Sequence, residues 1–130
     1  MNKMYSNNFS LVNIYKKMSR ESEIVTQMLH GDRFSILLKK NNWWKIKIKE
    51  DGYIGFIKKK KFNKEVKPTH KICTLYANIY KEPNTRNIIE KLSFGSKITF
   101  EKKYKKFTKF QNKWIKTKNL KSIKYENEDI

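Results

Sequence analysis

Short stretches of alternating apolar and polar residues recur along the chain. "RFSILL" at 33–38 and "KITFEKK" at 97–103 alternate and are rich in residues that suit a pleated, half-buried surface, so each predicts a strand. "WWKIKIKEDGYIGFI" at 43–57 predicts a hairpin: a strand, a turn at Asp51-Gly52 and a second strand. Gly31 and Gly95 stand just before strands, where a turn takes a residue tolerant of positive φ. "SRESEIVTQML" at 19–29 has a helical composition. Its counterpart "EPNTRNIIEKL" at 82–92 carries Pro83, which disfavours a regular helix, so a long loop is predicted in both places. Many short strands with closely spaced turn signals point to an all-β protein of small barrels.

Neighbouring side chains of a strand point to opposite faces, so Trp43 and Trp44 cannot share one core. Trp44, Ile46 and Ile48 form the continuous apolar set and belong inside. Trp43 shares the other face with Lys45 and Lys47, and is either a surface aromatic for binding or a side chain covered by a loop or a neighbouring unit.

The pattern occurs twice. Ile14-Tyr15-Lys16 lines up with Ile79-Tyr80-Lys81, Ile24-Val25 with Ile88-Ile89, and Gly31 with Gly95. "GFIKKKKF" at 55–62 corresponds to "KWIKTKNL" at 113–120, which pairs Phe56 with Trp114, Ile57 with Ile115 and Phe62 with Leu120. Phe56 and Trp114 are expected in the two cores. The second copy lacks a counterpart of "EDGY". Two homologous units of roughly 50 to 60 residues follow, a size that folds alone with a narrow margin.

Composition adds charge to this picture. The chain of 130 residues has a net charge of +19, carried by 28 Lys but only 3 Arg. Such a balance suggests a nucleic acid or another anionic partner, yet Arg, the residue suited to bidentate phosphate and guanine contacts, is scarce. The runs Lys58–Lys61 and "EKKYKKF" therefore read either as solvated faces of a lysine- and asparagine-rich composition or as a functional field. A single cysteine, Cys73, excludes an internal disulfide and a cysteine-based zinc site. No stretch reaches the ~18 apolar residues of a membrane span, and the N-terminus lacks the apolar core of a signal peptide. The expected location is the cytoplasm, with the cell envelope as the alternative.

The order Ile-Tyr strand, variable loop, apolar pair, Leu-x-x-Gly, alternating strand, "WWKIKI" and "DGYIGFI" resembles bacterial SH3 (SH3b) domains. The second copy keeps the frame through Leu92-Ser93-Phe94-Gly95 and "KWIKTKNL". The stretch "VKPTHKICTLYANIYKEP" at 66–83 resembles the start of the second SH3b module in NlpC-type cell-wall cysteine peptidases of alphaproteobacterial kind. The resemblance implies two small SH3-like β-barrels in tandem, 1–66 and 67–123, with 124–130 as a tail toward a catalytic domain. It implies a peptidase of the papain type that cuts between D-glutamate and a diamino acid in murein peptides. The nucleophile motif Asp-Cys-Ser-Gly is absent, and Cys73 falls on a strand of the second module. His30 and His70 lack a Cys or carboxylate at catalytic spacing. The chain is thus expected to be a non-enzymatic accessory part that needs no cofactor or metal, its catalytic half lost, truncated or separately encoded. The expected partners are a murein peptide, an NlpC-type peptidase domain, or both. In SH3-like barrels an outward aromatic helps line a shallow peptide groove, which implies Tyr15, Trp43 and Tyr53 as the ligand-binding set. The competing function is a basic small barrel that holds single-stranded nucleic acid between lysines and aromatic platforms, as "EKKYKKFTKF" suggests.

Overall fold

Alternation along "WWKIKI" is realised in space. Trp44, Ile46 and Ile48 are buried, while Trp43 and Lys45 are partly exposed and Lys47 is exposed. The computed structural model describes residues 3–125. Strands account for nearly all its regular structure, with one 3-10 turn at Thr117–Asn119 and no α-helix among the described residues. The chain divides into two units, Met1–Val66 and Lys67–Ile130. The tail expected over 124–130 falls largely outside the described residues.

The first unit has seven strands: β1 (Met4–Ser6), β2 (Leu11–Tyr15), β3 (Ile24–Leu29), β4 (Arg33–Lys40), β5 (Trp43–Ile48), β6 (Ile54–Lys58) and β7 (Asn63–Lys64). They pair in the order β3-β2-β6-β5-β4-β1-β7, antiparallel throughout. The core holds Val12, Ile14, Met28, Phe34, Trp44, Ile46, Ile48 and Ile57, with Phe62 packed against it as the closing apolar residue. Gly55 lets β6 approach β2. A Cβ there would lie 2.3 Å from Ile14 Cγ2 and 3.1 Å from the Tyr15 carbonyl oxygen. Arg33, at 7% exposure, is held by Glu50 (3.5 Å) and Glu65 (3.3 Å), which compensates for taking its charge out of water.

The second unit has β8 (His70–Ile72), β9 (Tyr76–Tyr80), β10 (Ile88–Ser93), β11 (Lys97–Ile98), β12 (Lys102–Tyr104), β13 (Phe107–Phe110), β14 (Lys113–Lys116) and β15 (Leu120–Ser122). Its pairings run β10-β9-β14-β13-β12 and β11-β8-β15. With β11 and β12 taken as the two halves of one strand, this is the order of the first unit. The fold is all-β, two small SH3-like barrels in tandem. Ile72, Ala77, Ile79, Leu92, Ile98, Phe110 and Ile115 fill the second core, and Leu120 packs on it.

Two local expectations are corrected. The apolar part of "SRESEIVTQML" is a strand: β3 starts at Ile24, and the loop is confined to 16–23, closed by a Lys16 N–H bond to the Glu23 carbonyl (2.8 Å) and by the Ser22 hydroxyl on the Ser19 carbonyl (2.8 Å). "KITFEKK" is not one strand. Between β11 and β12 the Phe100 N–H donates to the Thr69 hydroxyl (2.8 Å) and the Thr99 hydroxyl to the Lys67 carbonyl (3.1 Å), so side chains and loop carbonyls replace the ladder. In the first unit β4 stays continuous but carries a bulge between Ile36 and Leu38, because this strand must bend to serve both sides of a small barrel. The hairpin expected around Asp51-Gly52 is present. Gly52 has φ +72, but the loop spans four residues, with Ile48 bonding Tyr53 (2.9 Å). The second unit replaces it by a two-residue hairpin, Gln111-Asn112, with φ of +46 and +60 as the type I′ turn requires.

Candidate functional site

Register fixes which side chains share the outer face of the first unit. Tyr15 on β2 stands opposite Phe56 on β6, and Phe56 opposite Lys45 on β5. Trp43 stands opposite Lys58 on the same two strands. All five therefore project away from the core, and Phe56, expected inside, is half-buried on this face. The correction follows from parity, since the core position of β6 is its neighbour Ile57. Trp114 is covered, at 9% exposure, but it too was expected in the core and instead stands opposite Tyr80 on the outer face, outside the second core cluster.

On this face the Tyr15 and Trp43 rings meet edge to face, with centroids 5.6 Å apart and planes at 87°. The Lys58 ammonium lies 5.3 Å from the Trp43 ring centre, a cation on the electron-rich face. Beside Tyr15 opens a depression of about 220 Å³ bounded by Arg20, Lys58 and Lys60. Rigid aromatics bordered by cations can hold an extended, carboxylate-bearing chain, because the rings give contact area at little rotamer cost. Tyr53 is not part of this arrangement. It stands opposite Ile48 at the far end of the β5–β6 hairpin, five residues or roughly 16 Å of strand from Trp43. Arg20 was not singled out from sequence. It lies in the variable loop, where spacing gives no register, and only the fold brings it to Tyr15.

The second unit repeats the aromatic pair. Tyr80 stands opposite Trp114 and Phe107 opposite Lys116, matching Tyr15/Phe56 and Trp43/Lys58. The Tyr80 and Phe107 rings meet at 5.9 Å and 89°. Tyr80, at 4% exposure, is more covered than Tyr15.

The residues considered for catalysis lie elsewhere. Cys73 is exposed just beyond β8, rather than on a strand, with its Sγ 3.4 Å from the Asn119 carbonyl. His30 is buried in the turn after β3. His70 on β8 lies 2.8 Å from the Thr69 hydroxyl, and desolvation holds its pKa below the ordinary 6.5. Among the described residues no group of three or more His, Cys, Asp or Glu is placed to hold a metal ion, and no helix is long and apolar enough to cross a membrane.

Comparison with known families matches residues 14–62 to the bacterial dipeptidyl-peptidase SH3 domain. The first unit is a bacterial SH3 domain. No curated protein matches the chain in sequence. Among solved structures, an NlpC/P60 family protein from Bacillus cereus is similar with a TM-score of 0.75 at 12% identity, over 95% of this chain and 57% of that one. At that identity the likeness speaks for the fold, and this chain spans little more than half of its neighbour's length. NlpC2 and NlpC1 of Trichomonas vaginalis are also similar, each with a TM-score of 0.41 at 18% identity, too weak to bear on the site. The first covers 98% of this chain and 50% of its own, the second 92% and 45%.

Proposed function

We propose that this SH3b pair is the non-catalytic portion of an NlpC-type murein peptide hydrolase, and that the outer face of its first barrel holds cell-wall peptide. The observation that carries the reading is the Tyr15–Trp43 pair, left on the outer face beside Arg20, Lys58 and Lys60. A murein peptide offers carboxylates to those cations and aliphatic stems to the rings. The matched family model, named for the SH3 domain of a dipeptidyl-peptidase, and the NlpC/P60 fold neighbour support the hydrolase setting. The alternative occupant of the same face is the peptidase domain of such a hydrolase, docked against the aromatic pair.

Isothermal titration of the chain with a purified murein tripeptide tests the proposal. Heat release and a change in tryptophan fluorescence are expected, both abolished in Trp43→Ala. No heat and no fluorescence change at millimolar peptide would overturn peptide binding and leave docking of a peptidase domain, read by titration with that domain.

A further inference from the structure

The second unit carries a cleft that the murein reading does not use. It encloses about 680 Å³ and is lined by Lys103, Lys105, Lys106, Lys116 and Lys118 around Phe107. Lysine makes up 28 of the 130 residues but five of the eight that line this cleft, and no carboxylate is among them. The lysines converge from three places: β12, the turn between β12 and β13, and the end of β14 with its following 3-10 turn. Between Lys67 and Tyr125 there are sixteen basic and three acidic side chains, and two of the acids are engaged elsewhere, Glu90 with Lys113 (2.9 Å) and Glu101 with the Gln111 N–H.

The equivalent place in the first unit is used differently. There Lys39, Lys58 and Lys60 lie over the rings of Trp44, Trp43 and Phe9 at 5.0, 5.3 and 5.0 Å. In the second unit Lys103, Lys106, Lys116 and Lys118 make no ion pair or ring contact among the described residues, while Lys105 lies 5.4 Å from the Tyr104 ring centre. The turn itself points the same way. Asn41 occupies it in the first unit at φ +57, a conformation that suits asparagine, whereas the second unit places Lys105 there at φ +51. A lysine at positive φ is uncommon, and this one stands among four others around a cleft with no carboxylate in its lining.

We propose that this cleft binds an oligophosphate, a ligand with a chain of two or more phosphates. Each ammonium is a point charge with freely rotating donors, so five of them around one cleft can meet the successive charges of a phosphate chain, which carries more charge in a short length than a single carboxylate. The half-buried Phe107, braced by Tyr80, supplies a surface for a flat ring, so inorganic oligophosphate and a nucleoside triphosphate share the required chemistry.

Titration with inorganic tripolyphosphate and with ATP at low and physiological salt tests the inference. One molecule of tripolyphosphate is expected to bind per chain, more weakly as salt rises, and the affinity should fall about tenfold or more in Lys106→Ala/Lys116→Ala. Lys59→Ala/Lys61→Ala, which removes equal charge from the first unit, should leave it unchanged. Lys105→Asn should weaken binding while raising the thermal midpoint, a combination that a merely structural role would not give. Tighter binding of ATP that is lost in Phe107→Leu identifies the nucleotide as the source; equal binding identifies the phosphate chain alone. Equal losses in the two double variants overturn the proposal, as does binding of a short oligothymidylate without binding of tripolyphosphate, which would indicate single-stranded nucleic acid instead.

Discussion

Replacing Gly55 by alanine would place a methyl carbon 2.3 Å from Ile14 Cγ2, more than an ångström inside ordinary contact. Ile14 is fully buried among Val12, Met28, Trp44 and Ile46, so it cannot swing away without disturbing its neighbours, and the Tyr15 carbonyl at 3.1 Å blocks a shift of the strand. Overpacking of this kind costs about 1–3 kcal/mol. Against it, alanine restricts the unfolded chain and returns about 0.4–1 kcal/mol, because the backbone at Gly55 is not in the left-handed region. The net loss is about 1–2 kcal/mol from a unit whose whole stability is on the order of 3–10 kcal/mol. That corresponds to a drop in Tm of roughly 5–15 °C. Urea unfolding followed by tryptophan fluorescence in a Trp114→Phe background reports on Trp43 and Trp44 alone, both in the first unit. A second variant, Ile14→Ala, removes the clashing methyl group, so Gly55→Ala should cost less in its presence. An unchanged or raised midpoint for Gly55→Ala alone would refute the close crossing of β6 over β2.

Three further outcomes follow from the same geometry. Arg33→Ala should destabilise the first unit by about 1–3 kcal/mol in chemical denaturation, since it leaves Glu50 and Glu65 facing each other without the cation between them. His70 should titrate below 6.5 when followed by NMR, its charged form disfavoured by desolvation. The sign for stability is then fixed: the contribution is fully present above 6.5 and is lost as pH falls toward the lowered folded value, because the unfolded chain takes up the proton first, and a His70→Gln variant should flatten that slope. Arg20→Ala should weaken binding of murein tripeptide several-fold without moving the denaturation midpoint, since Arg20 borders the Tyr15 depression from an exposed loop.

Fold class was legible because it rests on period-two alternation, which Trp44 to Ile48 and Arg33 to Ile36 display, and on a repeat anchored by Ile-Tyr-Lys and the turn glycines. Gly31 and Gly95 adopt φ of +86 and +88, as their place before strands required. What alternation conceals is where a strand bends. Nothing in "KITFEKK" announces that Thr69 and Lys67 take over its hydrogen bonds, since that exchange depends on residues some thirty positions away. Phe56 was misplaced because aligning it with Trp114 imported an expectation of burial, whereas both are outer-face positions by register and differ only in what covers them; Tyr104 lies against Trp114 at 6.4 Å. The site was half legible. Trp43 follows from parity alone, and Tyr15 from its place in the repeat. Tyr53 was included on the resemblance, but a hairpin separates its two ends by the length of its strands. The aromatic pair of the second unit could have been found by carrying the alignment through to Phe107.

The most direct test of the account is an NMR titration of the amide and indole N–H groups with murein tripeptide. The account predicts saturable shifts at the Trp43 indole and at the Tyr15, Arg20 and Lys58 amides, with Tyr53 and the second unit unmoved. Shifts centred on the Asp51-Gly52 end of the hairpin, or none along β2 and β5, would contradict it.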